Sequence, residues 1–351
     1  MPAPVLYRKW RPQTLSQVVG QEHVTRTLLN ALATSRVSHA YLFCGPRGTG
    51  KTSTARILAK AVNCTTDGKG EPCTTCPMCL SIAEGRALDL IEIDAASNRG
   101  IDDIRGLREK INFAPAEARY KVYVVDEVHM LTDPAFNALL KTLEEPPPYA
   151  IFILATTEVH KVPVSILSRC QRFDFRRIAQ RALQDYLARI CGTESIGFED
   201  AGLELIARCA HGSARDAVNL LEQVEVAYGQ RVDLAGVEEM LGLTSDPRAM
   251  RLVRAIAAGE LKEGMTSIQN VREDGGNLPQ FGREVASYLR ALLLLKAGTE
   301  DAIELPDESI VELKGVASGI AMETVVAAVR AFTHLDFRGD QGSSLPLELA
   351  L

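Results

Sequence analysis

A chain of 351 residues is too long for one ordinary hydrophobic core and is expected to divide into two or three domains. Its composition, 46% hydrophobic, 24% charged and 5% aromatic, is globular and excludes a disordered or fibrous chain. A net charge of −6 argues against polyanion binding over the whole surface but leaves room for a local basic track, because screening confines each charge to its neighbourhood.

The start, Met1-Pro2-Ala3-Pro4, lacks the basic-then-apolar pattern of a signal peptide, and no run of 18 apolar residues occurs. A cytoplasmic protein without a membrane segment is therefore expected. The first strand is the apolar run Ala40-Tyr41-Leu42-Phe43-Cys44. It leads into Gly45-Pro46-Arg47-Gly48-Thr49-Gly50-Lys51-Thr52, a complete G-x-x-x-x-G-K-[ST] phosphate loop, and then into a helical stretch from Ser53 to Lys60. Glycines at 45, 48 and 50 let backbone amides turn inward around phosphate oxygens, closer than a Cβ would allow. Lys51 supplies a positive charge to the terminal phosphates, Thr52 a hydroxyl for Mg²⁺, and the helix its positive dipole end. A plain glycine-rich turn would match the same pattern, but the strand before it and the helix after it are the context the motif requires. The expected nucleotide set is Gly45, Pro46, Gly48, Thr49, Gly50, Lys51, Thr52 and Ser53.

Four cysteines then cluster: Cys64, with eight intervening residues to Cys73, and the spacing Cys73-x2-Cys76-x2-Cys79, set among Gly68, Gly70, Pro72 and Pro77. Four thiolates match tetrahedral Zn²⁺, and with all positions filled by protein the zinc would be structural. An iron–sulfur cluster is the competitor, although the x3-Cys-Pro of a ferredoxin run is absent after Cys79. Cys44, Cys170, Cys191 and Cys209 are expected to be ordinary core or surface thiols.

Further strands follow at Leu90-Ile91-Glu92-Ile93-Asp94, Lys121 to Val125 and Ala150 to Ala155, alternating with helical text. That is the pattern of a parallel sheet between helices. The third ends in Asp126-Glu127, which places Asp126 beside the phosphate loop to hold the magnesium shell and Glu127 to orient and deprotonate an attacking water. An acidic pair that merely caps a strand is the alternative. From Arg177 onward strand signals vanish, with helix breaks expected at Gly192, Gly197, Gly212, Gly229 and near Gly242. The expected domains are 1–178 (α/β, with the cysteine module at about 64–79), 179–242 (a small helical domain) and 243–351 (a second helical domain opened by Thr244-Ser245-Asp246-Pro247). In the last, Phe281, Val285, Tyr288, Leu289, Leu292, Leu293 and Leu295 follow helical spacing and suit a bundle core or an oligomer interface. The apolar run Leu345 to Leu351 at the end reads as a longer natural protein cut at a domain edge.

Several segments together carry a family resemblance: Arg8-Lys9-Trp10-Arg11-Pro12-Gln13-Thr14-Leu15, Val18-Val19-Gly20-Gln21-Glu22-His23, the phosphate loop, the four cysteines, Asp126-Glu127-Val128-His129-Met130-Leu131, Asn137 through Pro147, Ala155-Thr156-Thr157-Glu158 and Ser168-Arg169-Cys170. In order through the first 220 residues, they resemble the gamma/tau ATPase subunits of the bacterial DNA polymerase III clamp loader, within the AAA+ class. The resemblance implies an AAA+ domain followed by an all-α lid and an all-α collar for oligomerisation. It implies ATP with Mg²⁺ held by Thr52 and Asp126, and a catalytic set of Lys51, Asp126, Glu127, Thr157 as polar sensor, Arg215 as second sensor from the lid, and Arg169 acting in trans on a neighbouring subunit. Arg11, Pro12, Val19 and Gly20 would line the adenine side. Implied partners are other clamp-loader subunits (delta, delta-prime and further gamma/tau copies), the sliding clamp and primed DNA, with the polymerase core and helicase reached through a missing C-terminal extension. Arg99 and Arg105 are candidates for DNA contact, although Asp102 and Asp103 beside them weaken the electrostatic case. Two rival readings remain: a stator-like subunit that donates Arg169 without hydrolysing ATP, and another AAA+ machine such as a Holliday-junction helicase motor. Intact Lys51, Thr52, Asp126 and Glu127 speak against the first. The cysteine module and Ser168-Arg169-Cys170 speak against the second.

Overall fold

The computed structural model describes residues 5–66, 70–98, 100, 106, 111, 113–229, 231–232, 234–241, 246–300, 303, 305, 307–337 and 342–351. Arg99, Arg105, Asp102 and Asp103 lie outside the described residues. Two compact units divide the chain, 1–240 and 241–351. No helix among the described residues is long and apolar enough to cross a membrane.

The first unit is organised by a five-stranded parallel sheet in the order β2-β3-β4-β1-β5, with β1 Ala40–Cys44, β2 Leu90–Asp94, β3 Lys121–Asp126, β4 Ala150–Thr156 and β5 Gln171–Asp174. Every residue of β1 and β4 is buried, as expected of central parallel strands covered by helices on both faces. On one face Tyr41, Phe43, Val122 and Ile153 pack with Leu28, Ile57 and Leu58 of the helices Glu22–Ala33 and Lys51–Asn63. On the other, Leu42, Tyr123, Val125 and Phe152 pack with Phe136, Leu139 and Leu143 of the helix Asp133–Glu144. Tyr123 and Phe152 stack there with ring centroids 5.2 Å apart.

Strand β5 was not among the four expected. Only Phe173 of its four residues is buried, so its text is mostly polar, and an edge strand needs just one apolar anchor to pair. Phe173 meets Phe43 edge to face at 5.9 Å.

Register places the site. Cys44 pairs with Thr156, and Val125 with Leu154, so β1, β3 and β4 finish at one end of the sheet, where open parallel sheets bind ligands. Beyond β5 the helices Gln180–Glu194, Asp200–Cys209, Ala214–Tyr228 and Leu234–Met240 complete the unit. Two details differ from the sequence expectation. The first of these helices runs through Gly192 and turns only at Ser195, in a left-handed conformation, because a single glycine weakens a helix without ending it. A two-residue parallel pair, Gly197–Phe198 with Arg231–Val232, interrupts the helical text.

The second unit is helical: Pro247–Ala258, Leu261–Glu273, Leu278–Lys296, Asp307–Ala317, Met322–Thr333 and Leu345–Ala350. Asp246 and Asn277 cap two of them by accepting the amides of Arg248 and Gln280. The predicted stripe on Leu278–Lys296 forms the core through Phe281, Val285, Tyr288, Leu289 and Leu292, while Leu293 and Leu295 are half-buried against it. Glu284 on the same helix accepts the Asp246 amide at 2.9 Å, and burial pushes its carboxyl up to about 7. A carboxyl that binds its proton more tightly when folded loses native-state stability as pH rises from its ordinary value through the folded one. Between about pH 4.5 and 7, hydrogen-exchange protection of this helix, corrected for intrinsic rates, is therefore expected to fall, and Glu284→Gln should remove most of that fall. An equally steep fall in the variant would assign the dependence to another group.

Candidate functional site

The phosphate loop leaves β1 with Gly45, Gly48 and Gly50 at φ of 143°, 75° and 102°, a backbone that L side chains rarely adopt. The Gly45 amide donates to the Thr156 carbonyl at 3.1 Å, which ties the loop to the end of β4. Thr49 Oγ1 donates to the Pro46 carbonyl at 2.9 Å and closes the turn. The helix Lys51–Asn63 begins directly afterwards, so its first amides face the loop.

Lys51 is 6% exposed, and its Nζ donates to the carbonyls of Gly45 and Pro46, each at 2.8 Å. Burial lowers its pKa from the ordinary lysine value, opposed by the nearby carboxylates of Glu127 and Asp126. A buried ammonium of this kind needs anionic company. Thr52 Oγ1 donates to Asp126 Oδ2 at 2.6 Å, bringing a hydroxyl and a carboxylate together. These are hard oxygen donors of the type magnesium takes alongside phosphates, so the pair fits that ion.

Glu127 adopts left-handed φ and ψ of 47° and 45°, turning the chain sharply as it leaves β3. Its amide donates to Asp126 Oδ1 at 2.9 Å, and its Oε2 accepts Thr157 Oγ1 at 3.1 Å. The two acids thus face different neighbours, one the phosphate-loop threonine and the other the threonine after β4. Arg215 lies in the first turn of the helix Ala214–Tyr228, whose N-cap Ser213 accepts the Asp216 amide at 3.2 Å. This helix start rests on the loop itself: the Ala214 amide donates to the Gly48 carbonyl at 3.0 Å, and the Arg215 guanidinium lies 5.2 Å from the centre of the Tyr7 ring.

Arg11 Nε donates to Ser53 Oγ at 3.1 Å, and burial lowers the guanidinium's pKa. Pro12, Val19 and Gly20 are half-buried in the same N-terminal stretch. Gly20, at φ 70°, is held so near Ile178 that a Cβ would stand 2.9 Å from its Cγ2. Gln21 bonds both backbone groups of Arg176, at 2.7 and 3.0 Å, and so fastens this stretch to the segment joining β5 to the helical region. Arg169 is not brought to the chain's own loop. Its guanidinium donates to Glu144 Oε1 at 2.7 Å and to the Ser165 carbonyl at 2.8 Å.

His129 was quoted in a motif without a role, yet it sits at the centre of the polar cluster. Only 5% of its side chain is exposed. Nδ1 lies 3.0 Å from Thr156 Oγ1 and 3.4 Å from Glu127 Oε2, and Nε2 lies 3.3 Å from Glu158 Oε1. Its proximity to Glu127 in sequence was the available signal, but contact with Thr156 and Glu158 depends on β3 and β4 being neighbours. Ser213 and Tyr7 were likewise not singled out.

Cys64, Cys73, Cys76 and Cys79 bring their sulfurs within 4.8 Å of one another. Cys73 Sγ and Cys79 Sγ are 4.0 Å apart, close to the roughly 3.8 Å expected of two sulfurs around tetrahedral zinc with bonds of about 2.3 Å. The amides of Cys76 and Cys79 donate to Cys73 Sγ and Cys76 Sγ, at 3.2 and 3.5 Å, the pattern that stabilises thiolates in a C-x2-C turn. Hydrogen bonding by the Thr66 side chain and then by Thr75 pulls the Cys73 thiol down to about 5. The donor set fits zinc. Burial raises Cys64 and Cys79 within the cluster, and likewise pushes Cys44 and Cys191 up to about 11 and Cys170 to about 12.

A parallel sheet ordered β2-β3-β4-β1-β5, a phosphate loop after β1, an acidic pair after β3 and a helical lid resting on the loop define an AAA+ ATPase fold. Three family models match in chain order: "DNA polymerase III, delta subunit" over residues 20–179, "DNA polymerase III clamp loader subunit, ATPase lid domain" over 182–231, and "DNA polymerase III subunits gamma and tau domain III" over 232–329. The chain belongs to the gamma/tau family of DNA polymerase III clamp-loader subunits. It is 47% identical over 304 residues to DNA polymerase III subunit tau of Bacillus subtilis, covering 85% of this chain and 54% of the relative. It is 47% identical over 271 residues to subunit tau of Escherichia coli, covering 77% and 42%, and 39% identical over 333 residues to subunit gamma/tau of Mycobacterium tuberculosis H37Rv, covering 91% and 57%. The chain thus spans about half the length of the curated relatives it matches. Among solved structures, the Thermotoga maritima RuvB Holliday junction branch migration motor aligns with a TM-score of 0.51 at 21% identity, covering 70% of this chain and 79% of that one. At that identity the likeness is one of fold.

Contact between loop and lid generates a test. A Cβ on Gly48 would stand 1.9 Å from Ser213 Oγ, at a φ that already disfavours it. Gly48→Ala should displace the lid cap, worth about 1 kcal/mol in itself, and weaken nucleotide binding at least roughly tenfold in an equilibrium titration. Adding Ser213→Gly should recover part of the loss; no recovery would locate the damage in the loop backbone alone.

Proposed function

We propose that this chain is the ATP-hydrolysing motor subunit of a bacterial replicative clamp loader, which uses ATP to place a sliding clamp on primed DNA. One observation carries the reading: Thr52 with Asp126, and Thr157 with Glu127, meet as two separate pairs at the ends of neighbouring strands, at 2.6 and 3.1 Å. The first pair would hold magnesium, which neutralises charge on the terminal phosphates when bound. Lys51 neutralises the same phosphates from within the loop. Glu127 orients and deprotonates the attacking water, with Thr157 fixing the carboxylate by hydrogen bonding. Arg215 carries the nucleotide state into the lid because its helix rests on Gly48. Arg11, Pro12, Val19 and Gly20 take the adenine side.

Arg169 serves a neighbouring subunit's site. Its bonds to Glu144 and Ser165 support this role, because they hold the guanidinium away from the chain's own loop without burying it. The chain works in a hetero-oligomer with delta, delta-prime and further gamma/tau copies, in the cytoplasm, and its relatives' additional length would reach the polymerase core and helicase. Residues 1–178 act as the ATPase domain, 179–242 as the lid and 243–351 as the collar through which subunits assemble. Zinc in the four-cysteine cluster is structural, since four thiolates leave no open position for water.

Steady-state ATP hydrolysis tests the reading, measured for the chain alone and then with partner loader subunits, clamp and primed DNA. A low basal rate that rises strongly only in the complete mixture is expected. Arg169→Ala should keep ATP binding and lower the stimulated rate by about 10³-fold, the lower end of what an arginine finger supplies. Tight ATP binding with no stimulated turnover would favour a stator. Stimulation by DNA without clamp or partners would favour a translocating motor.

A further inference from the structure

Between Cys64 and Cys73, both cysteines of the four-sulfur cluster, Glu71 grips the N-terminal segment. Glu71 Oε2 accepts the Leu15 amide and Oε1 the Ser16 amide, both at 2.8 Å. These amides belong to the first turn of the short helix Leu15–Gln17, where helix geometry leaves donors without internal partners. One residue earlier, Gly70 is buried at φ 109°, where a Cβ would stand 3.2 Å from the Leu29 carbonyl oxygen. Gly70 is therefore wedged against the helix Glu22–Ala33, which starts two residues after Gly20.

The same N-terminal segment is fastened from its other side by the phosphate-loop helix. Lys60 Nζ donates to Gln13 O at 2.9 Å and to Gln13 Oε1 at 2.7 Å. That helix runs Lys51–Asn63 and is capped by Cys64 itself. One end of it therefore faces the phosphates, and the other enters the cysteine cluster.

We infer that Glu71 is a positioning residue and the cysteine cluster its anchor: a metal that closes the loop holds Glu71 against the turn at Leu15–Ser16, and so sets the Arg11–Gly20 segment against the nucleotide's base. The inference rests on the proposed reading of that segment as the adenine side. Closing the loop through two of its ligands removes the freedom that the carboxylate would otherwise lose on making two directed, charge-assisted hydrogen bonds. The metal's effect on nucleotide binding should then be confined to the base.

The test compares two probes on the full chain, a fluorescent ATP analogue and inorganic triphosphate as its base-free counterpart. Each is titrated against zinc-loaded and chelator-stripped protein, for the native sequence and for Glu71→Gln. Stripping and Glu71→Gln should each weaken the ATP analogue roughly tenfold and leave triphosphate unchanged, and stripping the variant should add no further loss. Additive losses, equal losses for the two probes, or unchanged ATP-analogue affinity would overturn the inference. If circular dichroism shows that the stripped chain unfolds, zinc-loaded Glu71→Gln decides alone: a loss confined to the ATP analogue supports the inference, and any other result overturns it. A zinc-loaded native chain that binds neither probe would instead overturn the nucleotide-site reading.

Discussion

The parallel register of β1, β3 and β4 is the constraint on which the site depends. Because Cys44 pairs with Thr156 and the pairing of β3 with β4 runs on from Lys121 opposite Ala150, three strands finish at one end of the sheet. The phosphate loop, the pair Asp126 and Glu127, and the pair Thr156 and Thr157 then come together, although the three segments are far apart in sequence. A strand slipped by one residue would turn its buried side chains to the opposite face and carry its terminal polar group out of reach. Large apolar side chains on both faces hold the register, with Phe43, Tyr123 and Phe152 wholly buried.

That rigid end lets charged groups sit where water would otherwise be needed. Lys51 is almost fully buried, and desolvation works against its charge; the loop carbonyls and the carboxylates of Glu127 and Asp126 work for it. His129 is enclosed in the same polar cluster, 3.4 Å from Glu127, 3.3 Å from Glu158 and within hydrogen-bond distance of Thr156. A low-dielectric setting strengthens such interactions and makes each unpaired group costly, so the cluster is fixed as a network rather than as separate residues.

Separate contacts tie the lid helix and the N-terminal stretch to this end of the sheet. The lid helix rests on Gly48 through a single backbone bond and a serine cap, and the N-terminal stretch is laced to the body by Gln21, Lys60 and Glu71. The glycines that look interchangeable in sequence differ here. Gly48 and Gly20 are needed because another element stands where their Cβ would be, while Gly192 has open space around it.

Much of this was legible in sequence. The phosphate loop, Asp126 and Glu127, the cysteine cluster, four of the five strands and the apolar face of Leu278–Lys296 follow from short-range rules: glycine freedom, ligand spacing and hydrophobic period. Tertiary structure alone decided β5, whose one buried side chain carries no periodicity, the passage of a helix through Gly192, and the meeting of His129 with Thr156 and Glu158. It also decided that Glu71 binds the amides of Leu15 and Ser16, more than fifty residues away. Local sequence dictates what a segment prefers to be, because backbone sterics and side-chain period act within a few residues. Which distant polar groups then face one another is set by sheet order and loop closure, and only the folded chain brings those about.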